Sequence, residues 1–234
     1  MIASAVVRPA VRKPLGPSRA QRVLRWRRAV RPVPALWVAI KRACDLILGS
    51  VVATLTLPLC AVIAFAVKLA SPGPVFFVQE RIGRDGRPFR LFKFRTMVDG
   101  AHLMHRHVAH LNACDGPALK IPNDPRLHPL GAFLRRSSLD ELPQLINVLR
   151  GEMSLVGPRP ALADEVESYE PHYHQRLTVQ PGMTGLWQVS GRANIQFRRW
   201  MAMDVWYARQ WSPLVDAWII ARTLPAVLRR EGAW

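Results

Sequence analysis

From Leu46 to Val67 the chain runs for 22 residues without a charge, and 17 of these are hydrophobic. As one helix this stretch reaches about 33 Å, enough to cross the roughly 30 Å apolar core of a bilayer. Pro58 interrupts it. A proline inside a helix removes one hydrogen bond and crowds the preceding turn, at about 3 kcal/mol, so a bend is expected there. Cations flank both ends: Arg27, Arg28, Arg31, Lys41 and Arg42 before it, and Lys68, Arg81, Arg84 and Arg87 after it. Positive flanks prefer the cytoplasmic side, and here both ends carry them. The segment is therefore predicted to be a re-entrant helix that enters one leaflet, turns at Pro58 and returns. Asp45, at its polar end, is expected to pair with Arg42 at the membrane surface.

Charge reinforces a membrane address. The 33 Lys and Arg residues exceed the 16 Asp and Glu residues, a formal +17, yet residues 1–42 carry eleven of the basic residues and no acidic one. With five prolines among residues 9–34, this tract cannot form a long helix, and it reads as an arm against anionic lipid. Residues 1–36 hold a single aromatic, Trp26, too few for a base-stacking nucleic-acid binder. Cys44, Cys60 and Cys114 are odd in number and show no CxxC spacing, in keeping with a reducing compartment.

Beyond the loop Ser71-Pro72-Gly73-Pro74, two short apolar runs flank Arg84-Asp85-Gly86-Arg87 and predict a β-hairpin, with Arg90, Lys93 and Arg95 available for phosphate or lipid head groups. His102, His105, His107 and His110 fall in a predicted helix over 101–111 but lack the carboxylate or thiolate set of a metal site, and read as a solvated face. Six of the eight tryptophans (Trp187, Trp200, Trp206, Trp211, Trp218 and Trp234) follow residue 186, which suits either a membrane interface or a core. Residues 214–230 are predicted to form an interfacial amphipathic helix, kinked near Pro225.

The chemistry concentrates in residues 123–160. Asp140 and Glu141 are adjacent carboxylates between Arg135-Arg136 and an apolar run beginning at Leu142. Helix capping accounts for one of them, with Asp140 as N-cap or with Ser138 and Glu141 as a capping box. A carboxylate can also attack phosphorus, provided a cation offsets the repulsion between two anions. Mg²⁺ would serve, held by Asp140 and Glu141 together with substrate oxygens. Gly157-Pro158-Arg159-Pro160 fixes an arginine in a rigid loop, and a guanidinium matches phosphate geometry.

These segments together resemble the bacterial sugar transferases, the monotopic polyprenyl-phosphate phosphoglycosyl transferases. The resemblance covers roughly residues 37–230 and runs through Lys41-Arg42 with Asp45, the Pro-interrupted apolar segment, residues 71–77 and 92–97, Asn123-Asp124-Pro125-Arg126, residues 138–144, residues 156–160 and residues 181–192. Leu57 stands where the family often has a small polar residue before the proline.

The resemblance implies transfer of sugar-1-phosphate, a hexose phosphate in the leading reading, from a UDP-sugar to undecaprenyl phosphate on the cytoplasmic face of the inner membrane. UMP is released and the product opens an exopolysaccharide or glycoconjugate pathway. Asp140 would be the nucleophile and Glu141 its partner, both near Mg²⁺. Arg135, Arg159, Lys93 or Arg95 would contact phosphate, Arg192 and Asp204 would serve the nucleotide or structural pairing, and Asp124 is a further acidic candidate.

The expected fold is α+β and mainly helical. It divides into a basic arm (1–36), the re-entrant helix (37–70) and a cytosolic catalytic domain (71–234), with a small hairpin and interfacial helices around the catalytic core. The rival reading is a non-catalytic membrane scaffold of a polysaccharide assembly complex, and the oligomeric state is open.

Overall fold

The computed structural model describes residues 33–101, 103–229 and 232. Most of the basic arm, His102, the last residue of the 214–230 helix and Trp234 lie outside the described residues, and so does the side chain of His105.

The apolar segment is the centre of one helix, α1 (Ala35–Ala70), 36 residues long and unbroken at Pro58. It stops at Ser71, where the backbone turns extended into the proline-rich loop. Among the described residues it is the one helix long and apolar enough to cross a membrane. Its two halves nevertheless bind the same folded body. Before Pro58, Arg42 donates to the carbonyls of Val148 (2.7 Å) and Leu149 (2.8 Å). Asp45 accepts from Ser154 Oγ and from the Leu155 amide, both at 2.9 Å. After Pro58, Ile63 and Val67 are buried against Phe94 and Leu134. Between these anchors the side chains of Val51, Leu55, Leu57 and Val62 stand exposed. The expected Arg42–Asp45 pair does not form: each group finds a stronger partner in the backbone of the domain beneath.

The predicted hairpin is present, with a longer first strand than the sequence suggested. β1 (Phe76–Ile82) pairs antiparallel with β2 (Pro88–Phe94), placing Phe77 opposite Lys93 and Arg81 opposite Phe89. The turn is a short 3-10 segment over Arg84–Gly86, with Asp85 at φ 59°. The helix expected over 101–111 is reduced to α2 (His105–Val108), followed by a 3-10 turn.

α3 (Pro129–Ser137) lies close to the segment that follows β2 because residue 131 is glycine: a Cβ there would fall 1.9 Å from the Thr96 carbonyl oxygen. Ser138, left-handed at φ 59°, ends α3 and turns the chain directly into a 3-10 segment, Leu139–Gln144. α4 (Leu145–Arg150) follows. Buried Asn147 on α4 ties this unit to β2, accepting from the Phe92 amide (3.2 Å) and donating to the Arg90 carbonyl (2.6 Å).

A second sheet, absent from the sequence reading, pairs β3 (Ser154–Val156) in parallel with β4 (Gly182–Thr184). α5 (Ala163–Glu167) lies between them in sequence. Strands of three residues are too short to show alternation. What marks this one is glycine, because a Cβ on Gly182 would lie 2.0 Å from the Gly157 nitrogen, so the two backbones touch.

The main core gathers Trp187 from α6 (Leu186–Val189) and Trp200, Met201 and Val205 from α7 (Phe197–Gln210), with Tyr169, Tyr173 and Ile82. Trp187, Trp200 and Trp211 are therefore core residues, while Trp206 and Trp218 are exposed. α8 (Pro213–Arg229) contains Pro225 without ending there and exposes Leu214, Trp218, Leu224 and Leu228.

Candidate active site

The two adjacent carboxylates sit in the first turn of the 139–144 segment, but neither caps it. Ser138 makes no side-chain capping bond, and the side chain of Glu141 leaves the turn for Lys93, whose Nζ donates to Oε1 at 2.6 Å. The same ammonium stands 3.7 Å from Asp140 Oδ2. Packing fixes this placement: Leu139 and Leu142, on either side of the pair, join the cluster around Ile63, Val67 and Phe94, and the hairpin carries Lys93 over the carboxylates.

Asp140 is buried, and loss of water pushes its carboxyl up to about 6, with Glu141 adding to the rise while Lys93 and Arg135 oppose it. Glu141 moves the other way. Burial alone would raise it, but the Lys93 charge and hydrogen bond, with Arg159 and Arg192, hold it below the usual carboxylate range. Two neighbouring acids thus separate into one that stays ionised and one that titrates nearer neutrality, a pattern typical of acid–base or nucleophilic sites.

The basic side chains fall into two groups. Arg95 donates to the carbonyls of Ser71 and Pro72 and holds the loop after α1, so it is not brought to the carboxylates. Arg126 forks onto Asp124, with Nε at 2.9 Å and Nη2 at 2.6 Å, a buried pair that closes a loop. Arg176, which the sequence reading passed over, binds Asp204 through Nε (3.0 Å) and Nη2 (2.7 Å) and supports the Arg159 carbonyl at 2.7 Å. Asp204 is accordingly a structural partner. Arg81 donates to the Pro160 carbonyl (3.1 Å) and to Gln79 Oε1 (2.6 Å), and burial pushes its guanidinium down to about 9.

The second group has donors to spare. Among the described residues Arg135 makes one side-chain hydrogen bond, from Nε to Thr96 Oγ1 at 3.1 Å, and faces Asp140 electrostatically. Arg159 makes no side-chain hydrogen bond among the described residues and lies 5.8 Å over the Trp200 ring. Arg192, in a left-handed turn at φ 50°, likewise has no acceptor there, and burial lowers its pKa while Glu141 raises it. Guanidinium groups held together without acceptors repel one another, and an arriving anion relieves that repulsion. The arrangement suits a phosphate or diphosphate beside a carboxylate nucleophile.

Among the described residues no cluster of three or more His, Cys, Asp or Glu could hold a metal alone. Asp140 and Glu141 supply two hard carboxylates, with Lys93 already against one oxygen of each. That set fits Mg²⁺, which keeps most of its shell for water and substrate oxygens, better than a metal needing a full protein cage.

Comparison with known proteins follows the same line. The family model described as bacterial sugar transferase matches residues 36–230. The exopolysaccharide production protein ExoY of Rhizobium meliloti is 40% identical over 88% of this chain and 92% of its own length. A UDP-galactose-lipid carrier transferase of Erwinia amylovora is 41% identical over 83% of this chain. A UDP-glucose:undecaprenyl-phosphate glucose-1-phosphate transferase of Caulobacter vibrioides is 39% identical over 87% of this chain and 75% of its own length. This chain spans only 42% of the length of the Erwinia protein.

Proposed function

Since this chain belongs to the bacterial sugar transferase family, we propose that it is an enzyme transferring sugar-1-phosphate from a UDP-sugar to undecaprenyl phosphate in exopolysaccharide or related glycan synthesis. One observation carries the reading: buried Asp140 faces Lys93 and Arg135, and the ionised Glu141 beside it faces Lys93, Arg159 and Arg192, cations with donors left for an anionic substrate.

In the proposed sequence an Asp140 oxygen attacks the phosphorus bearing the sugar. An acyl-phosphate bond forms, the bond to the bridging oxygen breaks, and its electron pair leaves with UMP. An oxygen of undecaprenyl phosphate then attacks the same phosphorus, expelling the Asp140 carboxylate and giving the lipid diphosphosugar. Lys93 keeps Glu141 ionised and lowers the repulsion between Asp140 and the incoming diphosphate. Mg²⁺, held by Asp140, Glu141 and substrate oxygens, would supply charge neutralisation on the diphosphate.

The membrane arrangement belongs to the same reading. The acceptor's phosphate stays at the lipid surface, so the carboxylates must lie at head-group depth. Attachment of both halves of α1 to one folded body supports a re-entrant helix with both ends on the cytoplasmic side of the inner membrane. The exposed apolar side chains of α8 support a second contact in the interface plane. The division into arm (1–36), membrane helix (37–70) and catalytic domain (71–234) follows from this.

The test is to incubate the purified protein in detergent with undecaprenyl phosphate, Mg²⁺ and a panel of UDP-hexoses, and to quantify UMP. Release with at least one donor, dependent on the acceptor for multiple turnovers, is expected. A panel in which no donor yields UMP would contradict the reading.

A further inference from the structure

Lys120 has no role in the scheme above, yet its setting is built with care. Asn112 clasps the loop that carries it: Oδ1 accepts from the amides of Cys114 (3.1 Å) and Lys120 (2.8 Å), and Nδ2 donates to the Ala118 carbonyl (3.2 Å). The loop is pinned again where Asp115 Oδ1 accepts from the first amide of α7, at Phe197 (2.7 Å). So held, the Lys120 ammonium lies 5.1 Å from the Trp187 ring centroid and 4.8 Å from that of Trp200, two indoles stacked at 4.5 Å.

Two rigid faces thus locate the charge without consuming a hydrogen-bond donor, and among the described residues no oxygen accepts from it. Arg159 lies over the same Trp200 ring, and the two cations oppose each other's charge. Of the nearby carboxylates, Glu165 is engaged with the Leu162 amide (3.0 Å) and Asp115 with α7. Two cations at one buried indole, neither with a side-chain hydrogen-bond acceptor among the described residues, suit an anion.

Which anion is a question of direction. Lys93 and Arg135 bear on Asp140; Arg159 bears on Glu141 and also on Lys120. Arg159 therefore links the carboxylate pair to Lys120. Lys120's surroundings belong to the Trp187–Trp200 core, whereas α1 packs in a separate cluster with Leu139 and Leu142. In an in-line displacement the leaving group departs opposite the attacking oxygen.

We propose that Lys120, set by the Trp187–Trp200 stack and acting with Arg159, binds the phosphate of the departing nucleoside monophosphate, forming the donor's nucleotide subsite. The inference rests on the proposed transferase reaction and adds the residue that grips its leaving group.

The test uses the full chain in detergent, with Lys120→Met, which keeps an apolar stem over the indoles, and Lys120→Arg, which keeps the charge. UMP binding is read by calorimetry, and KM is measured separately for UDP-sugar and undecaprenyl phosphate. Lys120→Met should weaken UMP binding and raise the donor KM by about tenfold, the scale of one charge-assisted hydrogen bond. Lys120→Arg should recover most of the loss. Unaltered UMP affinity in a Lys120→Met protein that melts like wild type, a shift in acceptor KM alone, or no UMP binding by wild type would overturn it. Wild type that binds UMP through Lys120 but turns over no donor would instead sink the transferase reading while leaving the subsite standing.

Discussion

Lys93 Nζ lies 2.6 Å from Glu141 Oε1, a contact joining the hairpin to the turn that carries both carboxylates. The bond keeps Glu141 ionised, and the ionised Glu141 in turn helps keep the Asp140 carboxyl raised to about 6. One ammonium therefore acts on both carboxylates, lowering each against the burial that raises it.

A pH profile reads this directly. The proposed attack requires ionised Asp140, whose carboxyl burial raises, so the donor half-reaction should decline toward acid pH. Lys93→Met removes a cation that favours ionisation, so the acid limb should move to higher pH. The sign for stability is opposite to that of a salt-bridged carboxylate: the folded state holds the Asp140 proton more tightly than the unfolded chain does. Its contribution is thus present at acid pH and lost as pH rises through about 6. A limb unmoved in Lys93→Met would separate Asp140 from this control.

Chelation tests the hard cation. With EDTA, UMP release should stop and excess Mg²⁺ should restore it, because two carboxylates and a diphosphate repel without a counter-charge. Turnover indifferent to EDTA would leave Lys93 and the arginines as the only counter-charges.

The Arg176–Asp204 pair is sealed, both side chains 1% exposed, and Arg176 also holds the Arg159 carbonyl. Asp204→Asn leaves a buried guanidinium without its counter-charge and should cost about 3–5 kcal/mol, visible as a lower denaturant midpoint. Donor KM should rise as well in the folded fraction, since the Arg159 loop loses its brace. A midpoint equal to that of wild type would refute this account of Asp204.

Much of this molecule was legible in the chain, and what was missed has a common cause. The uncharged run produced α1, the Asp-Gly turn produced the hairpin, and Asp140-Glu141 stood out beside arginines because local spacing carries such signals. Partners distant in sequence do not. Asp45 looks toward Arg42 by proximity along the helix, yet it bonds across 110 residues to Leu155. Arg95 reads as a free cation on a strand, but the loop carbonyls of Ser71 and Pro72 claim it. Trp187 and Trp200 fit an interface by residue type, and only packing reveals the buried stack. Lys120 and Arg176 carry no local signal, since each acquires its meaning from the aromatic rings or the carboxylate that folding brings to it.

The two-sided attachment of α1 makes the proposed topology testable. In a chain with Cys44, Cys60 and Cys114 replaced by serine, single cysteines at Leu36 and Arg84 should both react with an impermeant maleimide only from the cytoplasmic side. Labelling from opposite sides would make α1 a span.

The nucleophile assignment is tested most directly by single-turnover trapping. Protein mixed with a UDP-sugar labelled at the sugar-bearing phosphate, without lipid acceptor, is digested and the labelled peptide sequenced. Label on Asp140, discharged by undecaprenyl phosphate and absent from Asp140→Asn, is the predicted result. Full turnover by Asp140→Asn, or label on any other residue, would contradict it.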